Sequence, residues 1–341
     1  MKFFHNVNGI LSVGSCILFL VLPCGCGRQT ANRDAADTKE ESTMETAGKR
    51  DIVASNAFFY YRDLAAAERF YNDILGLRTV ADYGFAKILR IARTSYLTLV
   101  DAQSGMHSAD EPKTVAIALI TDQLDEWYRY LSREKVPMKS AYNPVASRPH
   151  HGFVVYDPEG YYLEFERFNP HPENERLLPL LAVLESVYPE PGSATRCPRD
   201  LGFKATVLWL YYRDLKGIEQ FWGDVMGFRQ VVDQGWAKIY AVSATGFLGP
   251  VDGARGMHSW TEKKGVTVSF ITRNLSEWFA YLKSQKAFKL KSPAIEEEER
   301  AGARVFIGYD PEGYFVEFDT FLEKKGNERL LALLRKNAAG K

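Results

Sequence analysis

The chain contains one pattern twice. Tyr60-Tyr61-Arg62-Asp63-Leu64 returns as Tyr211-Tyr212-Arg213-Asp214-Leu215, and the same register runs without a gap to Gly105-Met106-His107-Ser108 on Gly256-Met257-His258-Ser259. About half of the positions in that stretch are identical, which chance does not supply, so the fold must accommodate two copies of one unit. After a small insertion the match resumes at Leu124-Asp125-Glu126-Trp127 on Leu275-Ser276-Glu277-Trp278. It continues to Asp157-Pro158-Glu159-Gly160-Tyr161 on Asp310-Pro311-Glu312-Gly313-Tyr314. Each copy closes on Asn174-Glu175-Arg176-Leu177-Leu178 or Asn327-Glu328-Arg329-Leu330-Leu331, the start of an amphipathic helix, and the Pro/Gly/Ser-rich stretch Pro189 to Pro198 links the copies.

Within one copy the hydrophobic period divides the chain again. Residues 56–61 are extended and aromatic, and Asp63 then caps a helix whose Leu64, Ala67, Phe70, Tyr71 and Ile74 fall at helical spacing before Gly76 ends it. Short strands are predicted around Arg78–Ala81, Ala86–Ile91 and Tyr96–Val100, giving a βαβββ module. A second module follows: strand Val115–Ile120, a helix carrying Leu124, Trp127 and Leu131, then strands ending in Gly152–Tyr156 and Tyr161–Phe165. Two copies make four modules, and a hydrophobic content of 46% with 13% aromatics supplies real cores for an α+β architecture.

Lys and Arg (43) balance Asp and Glu (43), so no positive field draws in phosphate backbones, and nucleic acid is not an expected partner. At the N-terminus, Lys2 precedes an apolar run from Ile10 to Leu22, too short to span a bilayer comfortably but suited to an export signal. Cys26 follows the small Gly25 and resembles the lipidated residue of a bacterial lipoprotein, although Pro23 and Cys24 depart from that motif and Cys24 is the alternative site. The expectation is an exported, membrane-anchored lipoprotein, with a periplasmic or secreted protein as the alternative. Residues 28–51 are polar and too poor in large apolar side chains to offset their ordering entropy. The expected organisation is a signal at 1–26, a polar linker at 27–51, one domain at 52–188, a second linker at 189–200 and a second domain at 201–341. Cys197 alone then remains in the mature chain, which excludes an intramolecular disulfide framework.

Two βαβββ modules per domain, with Arg-Asp before the first helix, Ile-Leu-Gly at its end and Asp-Pro-Glu-Gly-Tyr before a closing strand that contains Glu, resemble the glyoxalase/bleomycin resistance protein/dioxygenase (vicinal oxygen chelate) superfamily. The resemblance runs from about Asn56 to Phe321. It implies that pairs of modules curl into cupped mixed sheets with helices outside and a small-molecule cleft inside. It also implies an internal pseudo-dimer of the two domains in place of a homodimer. In metal-using relatives, His or Glu from the first and last strands of each module hold a divalent ion. Here those positions carry Asn56 and Val207, Thr98 and Gly249, and Ala116 and Thr267, leaving only the closing-strand carboxylates Glu164 and Glu317. The ligand set is incomplete, so no cofactor is predicted.

Period-two alternation puts Phe58 and Tyr60, and in the second copy Trp209 and Tyr211, on the cleft face, each set above one acid, Glu164 or Glu317. These carboxylates are the candidate catalytic groups, against a reading in which they merely bond neighbouring backbone. His107 and His258 recur in one context and are candidate ligand-binding residues, although a loop histidine is commonly structural. His150 and His151 correspond to Ala303 and Arg304 in the other copy, which argues against a shared metal site there. The leading expectation is an exported protein that holds a small organic molecule in aromatic cups without metal. Its alternative is a metal-dependent lyase, isomerase or oxygenase with a rearranged site that draws on Glu164, Glu317, His107 or His258. A third reading makes the domains scaffolds for association.

Overall fold

The computed structural model describes residues 51–145 and 147–339. The expected export signal, Cys26 and the expected polar linker up to residue 50 lie outside the described residues.

Each copy opens as its sequence dictates. An aromatic and β-branched strand runs into an Asp whose carboxylate accepts from the first helical turn, Asp63 from Ala66 N at 2.8 Å and Asp214 from Gly217 N at 3.1 Å. The helices Leu64–Arg69 and Leu215–Gln220 each widen into a π-type last turn, Phe70–Ile74 and Phe221–Val225. They stop at Gly76 and Gly227, whose φ of 67° and 72° is the left-handed conformation that glycine adopts freely.

The sheets do not follow the copies. One runs β13 (Lys289–Leu290), β15 (Ala303–Tyr309), β16 (Phe315–Phe321), β12 (Val266–Ile271), β1 (Ala54–Tyr61), β4 (Ser95–Asp101), β3 (Ala86–Ala92) and β2 (Arg78–Asp82), with β14 (Glu296–Glu298) also paired to β15. The other runs β6 (His150–Tyr156), β7 (Tyr162–Phe168), β5 (Val115–Ile120), β8 (Ala205–Tyr212), β11 (Gly246–Asp252), β10 (Lys238–Ala241) and β9 (Arg229–Asp233). The first module of one copy therefore joins the second module of the other, through antiparallel seams β1–β12 and β5–β8. We call the cup on the first sheet cup A and that on the second cup B. The second modules also economise on strands. In the first copy the expected strand after the helix shrinks to a single bridge, Met138 to Val155, and in the second it is split into β13 and β14.

Helices cover the outer faces. Trp127, fully buried, stacks on Phe203 at 4.7 Å and tilts against Phe165, and Trp278 packs on Phe318 at 4.9 Å. Burying one such ring stabilises the fold by about 2–3 kcal/mol. The Asp-Pro-Glu-Gly-Tyr turns do more than reverse the chain. Tyr161 Oη accepts from Tyr60 N at 2.9 Å and donates to Gly265 O at 2.6 Å, and Tyr314 Oη accepts from Tyr211 N at 2.8 Å and donates to Thr114 O at 2.7 Å. Each turn thus ties both modules of its own copy to the opposite copy. Midway between the sheets, equivalent residues bond reciprocally, Thr94 N to Thr245 Oγ1 and Thr245 N to Thr94 Oγ1, both at 2.8 Å.

Candidate functional site

In cup B, the closing strand β7 turns Glu164, Glu166 and Phe168 to the concave side, because side chains two apart share a face. Opposite Glu164 on β5 stands Ala118, and opposite Glu166 on β6 stands Gly152, so small residues flank both acids and leave them room. One step along β6, on the same face as Gly152, His150 reaches over Glu166. Its Nδ1 lies 2.6 Å from Glu166 Oε1, a charge contact that lacks the alignment of a hydrogen bond. Glu166 Oε2 is buried with no partner. One donor atom each from His150, Glu164 and Glu166 lies within 4.8 Å of the others.

The walls above this floor are aromatic. Trp209 and Tyr211 rise from β8, Trp236 and Met257 close the far side, and the cavity measures about 240 Å³. Trp209 lies flat because its neighbour across the β8–β11 pair is Gly249: a Cβ there would sit 2.0 Å from the indole ring. In cup A the matching pair is Phe58 against Thr98. Gly249 is thus a seat for the tryptophan.

Charge in cup B is strongly coupled. Burial works to lower the His150 imidazole, but Glu166 beside it, then Glu164, outweigh that and raise it to about 9. Burial, and then the charge of Glu166, push the Glu164 carboxyl up to about 8, with His150 and the Trp209 indole pulling the other way.

Cup A has the same plan with different chemistry. Glu317 and Asp319 share the concave face of β16, Phe58 and Tyr60 rise from β1, and the cavity measures about 280 Å³. Ala303 stands where cup B has His150.

The expected site residues are therefore distributed across copies. Phe58 and Tyr60 share a cup with Glu317, and Trp209 and Tyr211 share one with Glu164. The expectation of one acid above each aromatic set is corrected on two counts. The acid comes from the other copy because the modules exchange sheets, and a second acid, Glu166 or Asp319, lies two residues on along the same strand face. The expectation that neither cup gathers three donors is corrected for cup B. His150 does not recur in the second copy, and the two cups are accordingly not chemically equivalent. Alternation along Glu164-Phe165-Glu166 was the signal for the second acid. His107 and His258 stand behind the walls. His107 is buried edge-on to Tyr60 at 4.9 Å with Nδ1 2.7 Å from Glu111, and His258 stacks on Tyr162 at 4.2 Å and meets Tyr211 at 5.0 Å. Burial, and then Lys139, lower the His258 imidazole to about 4, which keeps it neutral. They back the aromatic walls and do not line either cavity.

Residues 54–165 match the family model of the Glyoxalase/Bleomycin resistance protein/Dioxygenase superfamily. No curated protein matches the chain in sequence. Among solved structures, glyoxalase I from Zea mays superposes with a TM-score of 0.54 at 14% identity, covering 84% of this chain and 96% of its own. A point variant of glyoxalase I from Zea mays gives a TM-score of 0.55 at 13% identity, over 86% of this chain and 99% of that one. A Bacillus subtilis protein assigned as a dioxygenase gives 0.54 at 12% identity, over 84% and 96%. At these identities the likeness concerns the fold.

Proposed function

We propose, for a chain whose residues 54–165 match the family model of the Glyoxalase/Bleomycin resistance protein/Dioxygenase superfamily, that cup B is a divalent-cation-assisted active site for a small organic substrate. The observation that carries this reading is the convergence of His150, Glu164 and Glu166 at the floor of an aromatic-walled cavity. The donors fit such an ion: an imidazole with two carboxylates suits Mn²⁺, Fe²⁺, Zn²⁺ or Ni²⁺, and a buried carboxylate oxygen without a partner is costly unless something meets it. A bound cation there would supply Lewis-acid polarisation of a substrate oxygen.

The chain's own residues supply the rest. Trp209, Tyr211 and Trp236 offer stacking faces for a planar or apolar substrate and exclude water from the floor. Glu164, more exposed than Glu166, is the group placed to take or return a proton at the substrate. The reaction class is that of a lyase, isomerase or oxygenase. The two copies take the part of two protomers, a reading that the reciprocal Thr94–Thr245 bonds support. We further propose that the chain is exported and held at a membrane by lipid on Cys26. Cys26→Ser is then expected to release the protein from the membrane fraction, and unchanged attachment would refute that anchor.

A metal-free binder of an organic molecule is the second reading, and the 2.6 Å contact between His150 and Glu166 favours it, since the two charges already meet each other. Elemental analysis of the purified mature chain separates the two. The first reading expects close to one transition-metal ion per chain. Metal-free protein that carries an organic molecule through native mass spectrometry supports the second.

A further inference from the structure

In cup B the second acid of the closing strand is met by His150, whereas in cup A Ala303 leaves the same place empty of side-chain charge. Glu317 and Asp319 are 5% and 2% exposed. Asp319 accepts from Ser269 Oγ at 2.6 Å, but no Lys, Arg or His forms an ion pair with either acid among the described residues. Glu317 faces the cavity, two residues before Asp319 on the same face of β16. Burial raises both carboxyls above their usual range, and Asp319 and then Glu298 raise Glu317 further, with the charge of Lys291 pulling weakly the other way.

The rest of the lining has the same sign. Glu296, Glu297 and Glu298 border the cavity from β14, against Lys291 and Arg300. Arg300 is already engaged, with Nε 3.0 Å from Glu298 and its guanidinium 3.8 Å over the Phe85 ring. Between the acids and the rim stand Phe58, Tyr60, Tyr83 and Phe85. Aromatic faces around a carboxylate attract a cation by its charge and an apolar body by stacking.

We propose that cup A is a binding site for an organic ammonium ion, a protonated amine carried on an apolar or aromatic body, whose N–H groups bond Glu317 and Asp319 while the aromatic walls hold the body. A transition-metal ion is the poorer occupant, because cup A offers no imidazole and, among the described residues, no third donor converges on its two carboxylates. The proposal stands on cup A alone and does not depend on the chemistry of cup B.

The test uses the full mature chain and titrates it calorimetrically with phenethylamine and with its neutral analogue 2-phenylethanol. The amine is expected to bind at least tenfold tighter than the alcohol. That preference is expected to vanish in the double variant Glu317→Gln/Asp319→Asn and in Ala303→His, which supplies cup A with the cation that cup B possesses. Glu166→Gln in cup B is expected to leave amine binding unchanged. No binding by phenethylamine, equal binding of amine and alcohol, or a preference that survives in both cup A variants would overturn the proposal.

Discussion

Replacing Glu166 by Gln is expected to lower the affinity of cup B for Mn²⁺ or Zn²⁺ by about 100-fold. Four-ligand structural zinc sites gain roughly 10–16 kcal/mol in all, so each ligand contributes about 3 kcal/mol, and losing one costs about two decades. Glu166→Gln is the cleaner variant, because His150 without Glu166 can shed its proton and stay as a neutral donor, whereas His150→Ala strands the buried Glu166 carboxylate. Both are expected to fail in retaining metal through dialysis while the wild type keeps it. Isothermal titration with Mn²⁺ provides the measurement, and unchanged affinity in both variants would remove the donors from any metal site. The pH dependence has a definite sign. With the metal-free His150 raised to about 9, the ion must displace its proton, so affinity climbs about tenfold per pH unit below that value for that proton alone.

The largest effect on stability is expected away from the cups, at Asp157. Its carboxylate, buried, accepts from Tyr61 Oη at 2.7 Å, Tyr71 Oη at 3.0 Å, Glu159 N at 3.0 Å and Tyr161 N at 2.8 Å. Asp157→Ala strands these donors in a packed interior at once, and also frees Tyr161, which ties β1 to the other copy. Each unsatisfied buried donor costs about 1–3 kcal/mol, and the costs overlap, so a loss of about 4 kcal/mol is expected in urea unfolding. Burial raises the Asp157 carboxyl to about 6 from an ordinary 3.8. The folded state therefore holds this proton more tightly than the unfolded chain, and the group's stabilising contribution is full below about pH 4 and lost as pH rises through 6. Wild type gains from this group on acidification and Asp157→Ala does not, so the difference between them is larger at pH 5 than at pH 7. A loss under 1 kcal/mol at both pH values would show that the turn is merely a turn.

Much of the fold was legible because it is written in periodicity. The repeat, the Asp63 and Asp214 caps, the stops at Gly76 and Gly227 and the alternation of β1 and β8 all follow from local rules. What local rules do not carry is which module pairs with which. The β1–β12 and β5–β8 seams join residues about 210 and 90 positions apart, and nothing in a strand's own sequence names its partner. That choice decides the cups, and it sends Glu164 to Trp209 and away from Phe58. The duplication also misled. Requiring a functional group to recur in both copies favours His107 and His258, which pack behind the walls, and discards His150, whose counterpart is Ala303. Divergence between copies is where chemistry is gained or lost, because the recurring positions are those the shared framework needs. Asp157 and Asp310 illustrate the framework, each accepting from the backbone of its own turn.

Cup B is expected to gather a divalent ion that cup A does not. Crystals of the mature chain grown with Mn²⁺, measured at a wavelength where manganese scatters anomalously, locate the ion directly. The account predicts one strong peak bounded by His150, Glu164 and Glu166 and none between Glu317 and Asp319. A map without a peak at the first position, or with equal peaks in both cups, would contradict it.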